Sequence, residues 1–428
     1  MRVLVVGAGV AGLGVATMLA ARGHNVEVIE ASERVGGRAV TVASRRGSRI
    51  DAGTQYFHTN YRIARGLLRS VGVERHLARI VGRTRFFDDR VGKGSFEVSH
   101  RLPWFQPAGL SNLNSAGLLA RLALNPFDTF GLASASRLDR IAAWDAVSNP
   151  WVREFALRPL VLAGSLSEPE PAAPSLLHAL RLLKIVVLTE YLTLPNGVAS
   201  LHEALAARLP IRLATRAGRL VIEKAAVAGI ELDGSDQVIR ADHVVVATTA
   251  PEAARLLPAE WTEERAFLDS IRIPPVVLPT FFLDRPLAAA NIWSYMSQAH
   301  RAGGISFVID ATRKNPALAK TRNSILQAWP CYPLSDQLAR RSDSDVVEIA
   351  RVELERYFPG VSGWTEEVQV TRHPYAVPFH SPGHQARAAS FLRCADARKG
   401  VSFCGDFLTG GFMEAALWSA KRVSDRFA

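Results

Sequence analysis

The chain has 428 residues, 48% hydrophobic and 21% charged, a globular composition that excludes a disordered or fibrous protein and leaves room for two or three domains. Lysine and arginine outnumber acidic residues by 51 to 40, but no basic run of five or more accompanies pairs such as Arg45-Arg46 and no recognition motif is present, which argues against a nucleic-acid partner. Cys331, Cys394 and Cys404 are scattered and odd in number, so no disulfide framework or CxxC metal site is available and a reducing, cytoplasmic setting is expected.

Arg2 to Val6 is a short β-branched run, the pattern of a strand buried on both faces. Gly7-Ala8-Gly9-Val10-Ala11-Gly12 follows at once, then an alanine-rich helix to about Ala21 that Gly23 stops. The four glycines at 7, 9, 12 and 14 argue against a signal peptide here. Asn25 to Ile29 reads as a second strand, ending at Glu30, eighteen residues past Gly12. In this βαβ setting each glycine has a task. Gly7 permits the tight turn, Gly9 lets backbone approach a pyrophosphate, and Gly12 lets helix and strand pack closely. The helix N-terminus offers free N–H groups to phosphate, with Ala11 in its first turn, and Glu30 can take a ribose hydroxyl.

Ala31-Ser32-Glu33-Arg34-Val35-Gly36-Gly37-Arg38 adds a second glycine pair and an arginine able to neutralise pyrophosphate charge. Here the sequence resembles the flavin-dependent amine oxidase superfamily, which includes monoamine oxidases, protoporphyrinogen oxidases and phytoene desaturases. Gly7, Gly9, Gly12, Glu30, Gly36, Gly37 and Arg38 carry the resemblance. It implies an α/β fold: a Rossmann-type FAD-binding domain (GR2-like, discontinuous) with a second α+β substrate-binding domain. Ala31, directly after Glu30, is a further cofactor-binding position by the same resemblance, and Arg49 to Phe57 is similar to the family's D-x-G-x-x-[YF] segment, which implies that Gly53, Thr54 and Gln55 line the flavin.

Leu194-Pro195-Asn196-Gly197 reads as a turn before a short helix, and Ile211–Thr215, Arg219–Lys224, Gly229–Leu232 and Val238–Ile239 read as strands. Asp242 to Thr249 is another buried strand, and by resemblance the Ala217 backbone faces adenine. Val401 to Asp406 is a strand ending in Gly405-Asp406, followed by Thr409-Gly410-Gly411-Phe412-Met413-Glu414 and a helix to about Arg426. The resemblance gives the Asp406 carboxylate to the ribityl–phosphate region and the Phe412–Met413 backbone to the flavin N1/O2 edge, where negative charge develops on reduction. The family's M-E-G-A reads Met413-Glu414-Ala415-Ala416 here.

The expected FAD-binding domain therefore comprises residues 1–82, 190–260 and 385–428, with 83–189 and 261–384 forming the substrate-binding domain. The family's amine oxidases place a lysine on the strand Pro274–Pro286, at a position that here falls near Leu278, which tilts the reading toward the porphyrinogen oxidase and desaturase side. His373 to His384 resembles the porphyrinogen oxidase branch. Gln55, Tyr56, His58 and Phe412 are the candidate catalytic residues, with Tyr375 and His380 further candidates for the reacting face.

No metal site is read. FAD is expected to be non-covalent, removing a hydride from a fairly apolar small molecule at a C–N or C–C bond, with O2 as acceptor. The alternatives are a redox-neutral isomerase or mutase and a dehydrogenase with another acceptor. No segment approaches ~18 apolar residues, so no transmembrane span is expected. Peripheral membrane contact and oligomeric state stay open.

Overall fold

The computed structural model describes residues 1–88, 94–99, 120, 128–147, 150, 153, 157–167, 173–289, 291–297 and 304–427. Arg2–Val6 forms the middle strand of a five-stranded parallel sheet. The order is Ile211–Arg212, Asn25–Ile29, Arg2–Val6, His243–Val246, Val401–Phe403. Its apolar run is continuous because both faces are covered. Val3 and Val5 pack with Leu13, Leu19, Leu417 and Ala420 on one side. Leu4 and Val6 pack with Val244, Phe391 and Phe403 on the other.

The helix Val10–Ala21 follows the glycine turn and lies against the last helix, Met413–Asp425. Gly14 allows that approach, since a Cβ there would stand 2.4 Å from Leu417 Cδ2. The first and last helices of the chain thus cover the same face of the parallel sheet. Ala217–Glu223, Ala226–Leu232 and Val238–Arg240 form a separate antiparallel sheet, close to the strands expected from sequence.

A seven-stranded sheet runs in the order Thr365–His373, Val276–Leu283, Ile325–Pro330, Ile305–Asp310, Ile292–Ser297, Arg83–Asp88, Gly94–Ser99. One face, with Val277, Phe281, Leu326 and Ala328, packs on Leu338, Val346, Ala350 and Leu354 from two helices. The opposite face, with Leu278, Met296, Phe307 and Trp329, packs on Ala52, Leu162, Leu166 and Tyr191. That second face meets the Asp51–Phe57 stretch. Glu168 to Pro174, a Pro-rich stretch that reads from sequence as an exposed loop, lies mostly outside the described residues, as do Pro103, Pro107 and Pro126. Among the described residues no helix is long and apolar enough to cross a membrane.

Candidate functional site

Gly7 has φ +104°, the left-handed region that an L side chain rarely adopts. Its N–H donates to Ile29 O at 2.8 Å, tying the turn to the second strand. A Cβ on Gly12 would stand 1.8 Å from Gly7 O, so helix and turn close only around a glycine. A Cβ on Gly9 would meet nothing within 4 Å. Gly9 therefore borders open space, although it begins a twelve-residue helix that no side chain caps. The second glycine turn folds back onto the first: Gly36 N–H donates to Ala8 O at 2.9 Å.

Glu30 lies beside both turns. One carboxylate oxygen accepts from Ala8 N at 2.7 Å and the other from Ser32 N at 2.9 Å. Each oxygen keeps a further lone pair for a hydroxyl group. Ala11 is buried in the first helical turn, whereas Ala31 is exposed past Glu30. Ala217 is buried, and its carbonyl accepts from Arg255 Nη2 at 2.6 Å.

Arg38 reaches the other end of the chain. Its fork meets Asp406 Oδ2 at 2.6 Å and Oδ1 at 2.9 Å, and Nη1 also donates to Ala376 O at 2.7 Å. The Asp406 carboxylate holds the guanidinium above the usual arginine range, against the opposing effect of burial, which is the larger single influence. Gly405 N–H donates to Ser419 Oγ at 2.9 Å, fixing the strand end onto the last helix. From behind, the buried Arg181 donates to Thr409 O at 2.6 Å and to Gly131 O. Burial lowers Arg181 to about 10, so it stays charged.

The last helix begins at Met413 after Phe412, and no side chain caps it. Glu414 instead turns away and accepts from Ile63 N at 2.6 Å and Ala64 N at 2.9 Å, the first free donors of the helix Arg62–Ser70. Burial raises the Glu414 carboxyl while those donors pull it down. The Phe412 ring lies 6.4 Å from Phe130, which in turn meets Tyr61 at 5.5 Å.

The Asp51–Phe57 stretch closes the site. Gly53 passes so close to Arg38 that a Cβ would stand 2.0 Å from Arg38 O, and Thr54 N–H donates to that same carbonyl at 3.0 Å. His373 Nε2 donates to Ala52 O at 2.7 Å. The Gln55 amide is consumed within the protein: Nε2 donates to Asp51 O and Gly53 O, and Oε1 accepts from Lys314. Lys314 also donates to Gln55 O, so what Gln55 can present to a ligand is its backbone N–H.

Tyr56 packs against Tyr191 at 4.6 Å and Trp293 at 6.3 Å. His58 meets Tyr56 at 5.3 Å and sets Nδ1 2.9 Å from Thr189 Oγ1. Thr189 already donates to Ile185 O, so it accepts from an Nδ1–H tautomer. Burial pushes Tyr56 up to about 12 and His58 down to about 3, so both are neutral near pH 7. The acids bordering this wall are engaged elsewhere. Asp51 pairs with Lys314, Glu190 with Arg79 at 3.0 Å, and Asp310 accepts from Ser324 Oγ and two helix N–H groups.

The histidines of the sequence reading separate. His373 holds Ala52 and His58 joins the tyrosines, while His380 stacks between His178 at 5.0 Å and His384 at 3.9 Å. Tyr375 packs beneath the parallel sheet rather than on the Tyr56 wall. Burial lowers His178 and His384 to about 3 and carries His380 well below its ordinary value. These rings are neutral when folded, whereas the unfolded chain takes up protons below about pH 6.5. The stability they contribute is complete above that pH and is withdrawn as pH falls toward the folded values, by up to about 1.4 kcal/mol per residue per pH unit. The melting temperature should therefore drop from pH 7.5 to pH 5, and His380→Gln should flatten the drop. A melting temperature level across that interval would contradict the burial argument.

Four contributors escaped the sequence reading: Lys314, Arg181, His178 and the partner role of Glu414 toward Ile63 and Ala64. Thr312-Arg313-Lys314 carries no local pattern that sets a buried lysine apart from a surface one. Only the Asp310 cap ahead of it hints at a defined element.

Two uncapped helix N-termini, an open glycine cradle, the Glu30 carboxylate beside both glycine turns and the Arg38–Asp406 pair on a parallel sheet fit FAD, the arrangement of a dinucleotide-binding protein. The chain belongs to the flavin-containing amine oxidoreductase family, whose profile matches residues 10–427. It is a flavin-dependent oxidoreductase. Over 73 residues it is 45% identical to an L-amino-acid oxidase of Naja atra, a match covering 17% of this chain and 14% of that protein. It is 24% identical over 322 residues to the zeta-carotene desaturase of Arabidopsis thaliana, covering 65% of this chain and 56% of the relative. The cyclohexylamine oxidase of Brevibacterium oxydans shares the fold, with a TM-score of 0.75 at 19% identity over 99% of this chain and 98% of that one.

Proposed function

We propose that the protein removes a hydride from a fairly apolar, uncharged small molecule at a C–N or C–C bond, with O2 returning the cofactor to its oxidised form. The wall of Tyr56, Tyr191 and Trp293 beside the Ala52–Gln55 turn carries this reading. Tyr56 and His58 are neutral and Asp51, Glu190 and Asp310 are each paired or hydrogen-bonded, which disfavours a cationic substrate at this wall. Bound flavin supplies the two-electron acceptor, and the protein orients the substrate and keeps water from the reacting carbon.

Non-covalent attachment is supported by Cys404, which is wholly buried and whose thiol burial pushes up to about 12. In this reading 1–82, 190–260 and 385–428 bind FAD, and 83–189 with 261–384 bind substrate. Gly7, Gly9, Gly12, Glu30, Gly36, Gly37, Arg38 and Asp406 hold the dinucleotide. Gly53, Thr54, the Gln55 backbone, Phe412 and Met413 border the ring, with Tyr56, His58 and Phe412 toward the substrate.

A dehydrogenase or redox-neutral isomerase is the second reading, favoured by the apolar Leu278 on the sheet face toward Ala52. The visible spectrum of the purified protein, followed by anaerobic reduction and readmission of air, separates the two. Flavin bands that bleach and return quickly are expected for an oxidase. Slow return would favour the second reading, and no bands after addition of FAD would overturn both.

A further inference from the structure

Three side chains from the layer of the seven-stranded sheet reach the turn that follows Asp51. His373 holds Ala52 O, Gln327 Nε2 donates to Asp51 O at 2.8 Å, and Lys314 makes the remaining contacts. Lys314 ends a one-turn helix, Ala311–Lys314, whose first N–H groups are accepted by Asp310. Its ammonium has three hydrogens and finds three acceptors: Asp51 Oδ2 at 3.2 Å, Gln55 O at 3.1 Å and Gln55 Oε1 at 2.7 Å.

The lysine and aspartate side chains are 1% and 0% exposed. Asp51 Oδ1 is filled by Thr41 Oγ1 and Val198 N, each at 2.9 Å. Burial lowers Lys314 below the ordinary lysine range, and the Asp51 carboxylate opposes that shift.

An ion pair this deep is a poor source of stability, because desolvating two charges cancels most of their attraction and an apolar pair would serve as well. What an apolar pair could not do is hold Gln55. Two of the three ammonium contacts go to that residue, and its amide then fastens Asp51 O and Gly53 O. Between them, Lys314, Gln55, Gln327 and His373 engage the carbonyls of Asp51, Ala52, Gly53 and Gln55.

We propose that Lys314 is a positioning residue: through Gln55 it sets the Ala52–Tyr56 turn against the bound flavin, beyond neutralising Asp51. The proposal rests on the reading of that turn as the flavin-lining segment.

The test uses FAD-loaded protein and two variants, with visible-region circular dichroism of the flavin and its release rate well below the melting temperature as readouts. Asp51→Asn with Lys314→Met strands no charge yet removes the hold on Gln55. Gln55→Met leaves the ion pair and removes the side-chain link from Lys314 to Asp51 O and Gly53 O. Both are expected to alter the flavin dichroism and to speed release at least fivefold. Wild-type dichroism and release in the double variant would overturn the proposal, since Lys314 would then only compensate Asp51. Should the double variant fail to fold, the Gln55→Met result decides in the same way. Failure of the underlying reading is seen separately, as unchanged flavin dichroism and release in a Gly53→Ala variant that still folds.

Discussion

Gly12→Ala is expected to lower the melting temperature of the protein even without flavin and to abolish flavin retention. The new methyl would stand 1.8 Å from Gly7 O and 3.3 Å from Ala247 Cβ, and the first of these is backbone that cannot rotate away. The helix Val10–Ala21 would have to lift from the turn. Overpacking of this kind typically costs about 1–3 kcal/mol, and a backbone clash belongs at the upper end or above. Gly9→Ala is the matched comparison. Gly9 has φ −76° and ψ −177°, which alanine adopts freely, and its methyl would meet nothing within 4 Å. The melting temperature of the flavin-free protein should therefore be close to wild type, within about 0.5 kcal/mol, while the methyl fills the space left for pyrophosphate. Flavin absorbance per protein after gel filtration should fall for both variants, and the melting temperature of the flavin-free protein for Gly12→Ala alone. A Gly9→Ala protein with full flavin content would remove the phosphate from this turn.

Arg38→Ala should weaken flavin binding at least tenfold, equivalent to about 1.4 kcal/mol, and should also destabilise the flavin-free protein. Arg38 joins the second glycine turn to Asp406 and to Ala376 O, so its loss leaves a carboxylate only 6% exposed without its charge partner. Breaking a fully buried pair costs about 3–5 kcal/mol. The Arg38 side chain is 34% exposed, and solvent screening reduces the expected loss to about 1–2 kcal/mol. Arg38→Lys should recover part of both effects, since an ammonium keeps the charge but cannot match both carboxylate oxygens with a planar fork. Equilibrium FAD titration and thermal melting measure the two quantities independently. Full flavin occupancy in Arg38→Ala would contradict the pyrophosphate assignment.

What the sequence by itself determined is local. The strand Arg2–Val6, the glycine turn, the helix to Ala21, Glu30, the second glycine turn and the last helix are legible because their signals sit within a few residues. They are closely spaced glycines, an apolar run or an abrupt change of period. The family resemblance follows from that spacing. The tertiary structure decided the rest. Arg38 and Asp406 are 368 residues apart, Lys314 and Asp51 263, and Glu414 and Ile63 351. Nothing in Thr312-Arg313-Lys314 distinguishes a solvated turn from a buried ammonium, and nothing in Thr54-Gln55-Tyr56 shows that the Gln55 amide is consumed by its own turn. Turn chemistry and periodicity act over one or two turns of chain, whereas a buried polar group is settled by whatever partner the packing of distant strands and helices delivers to it.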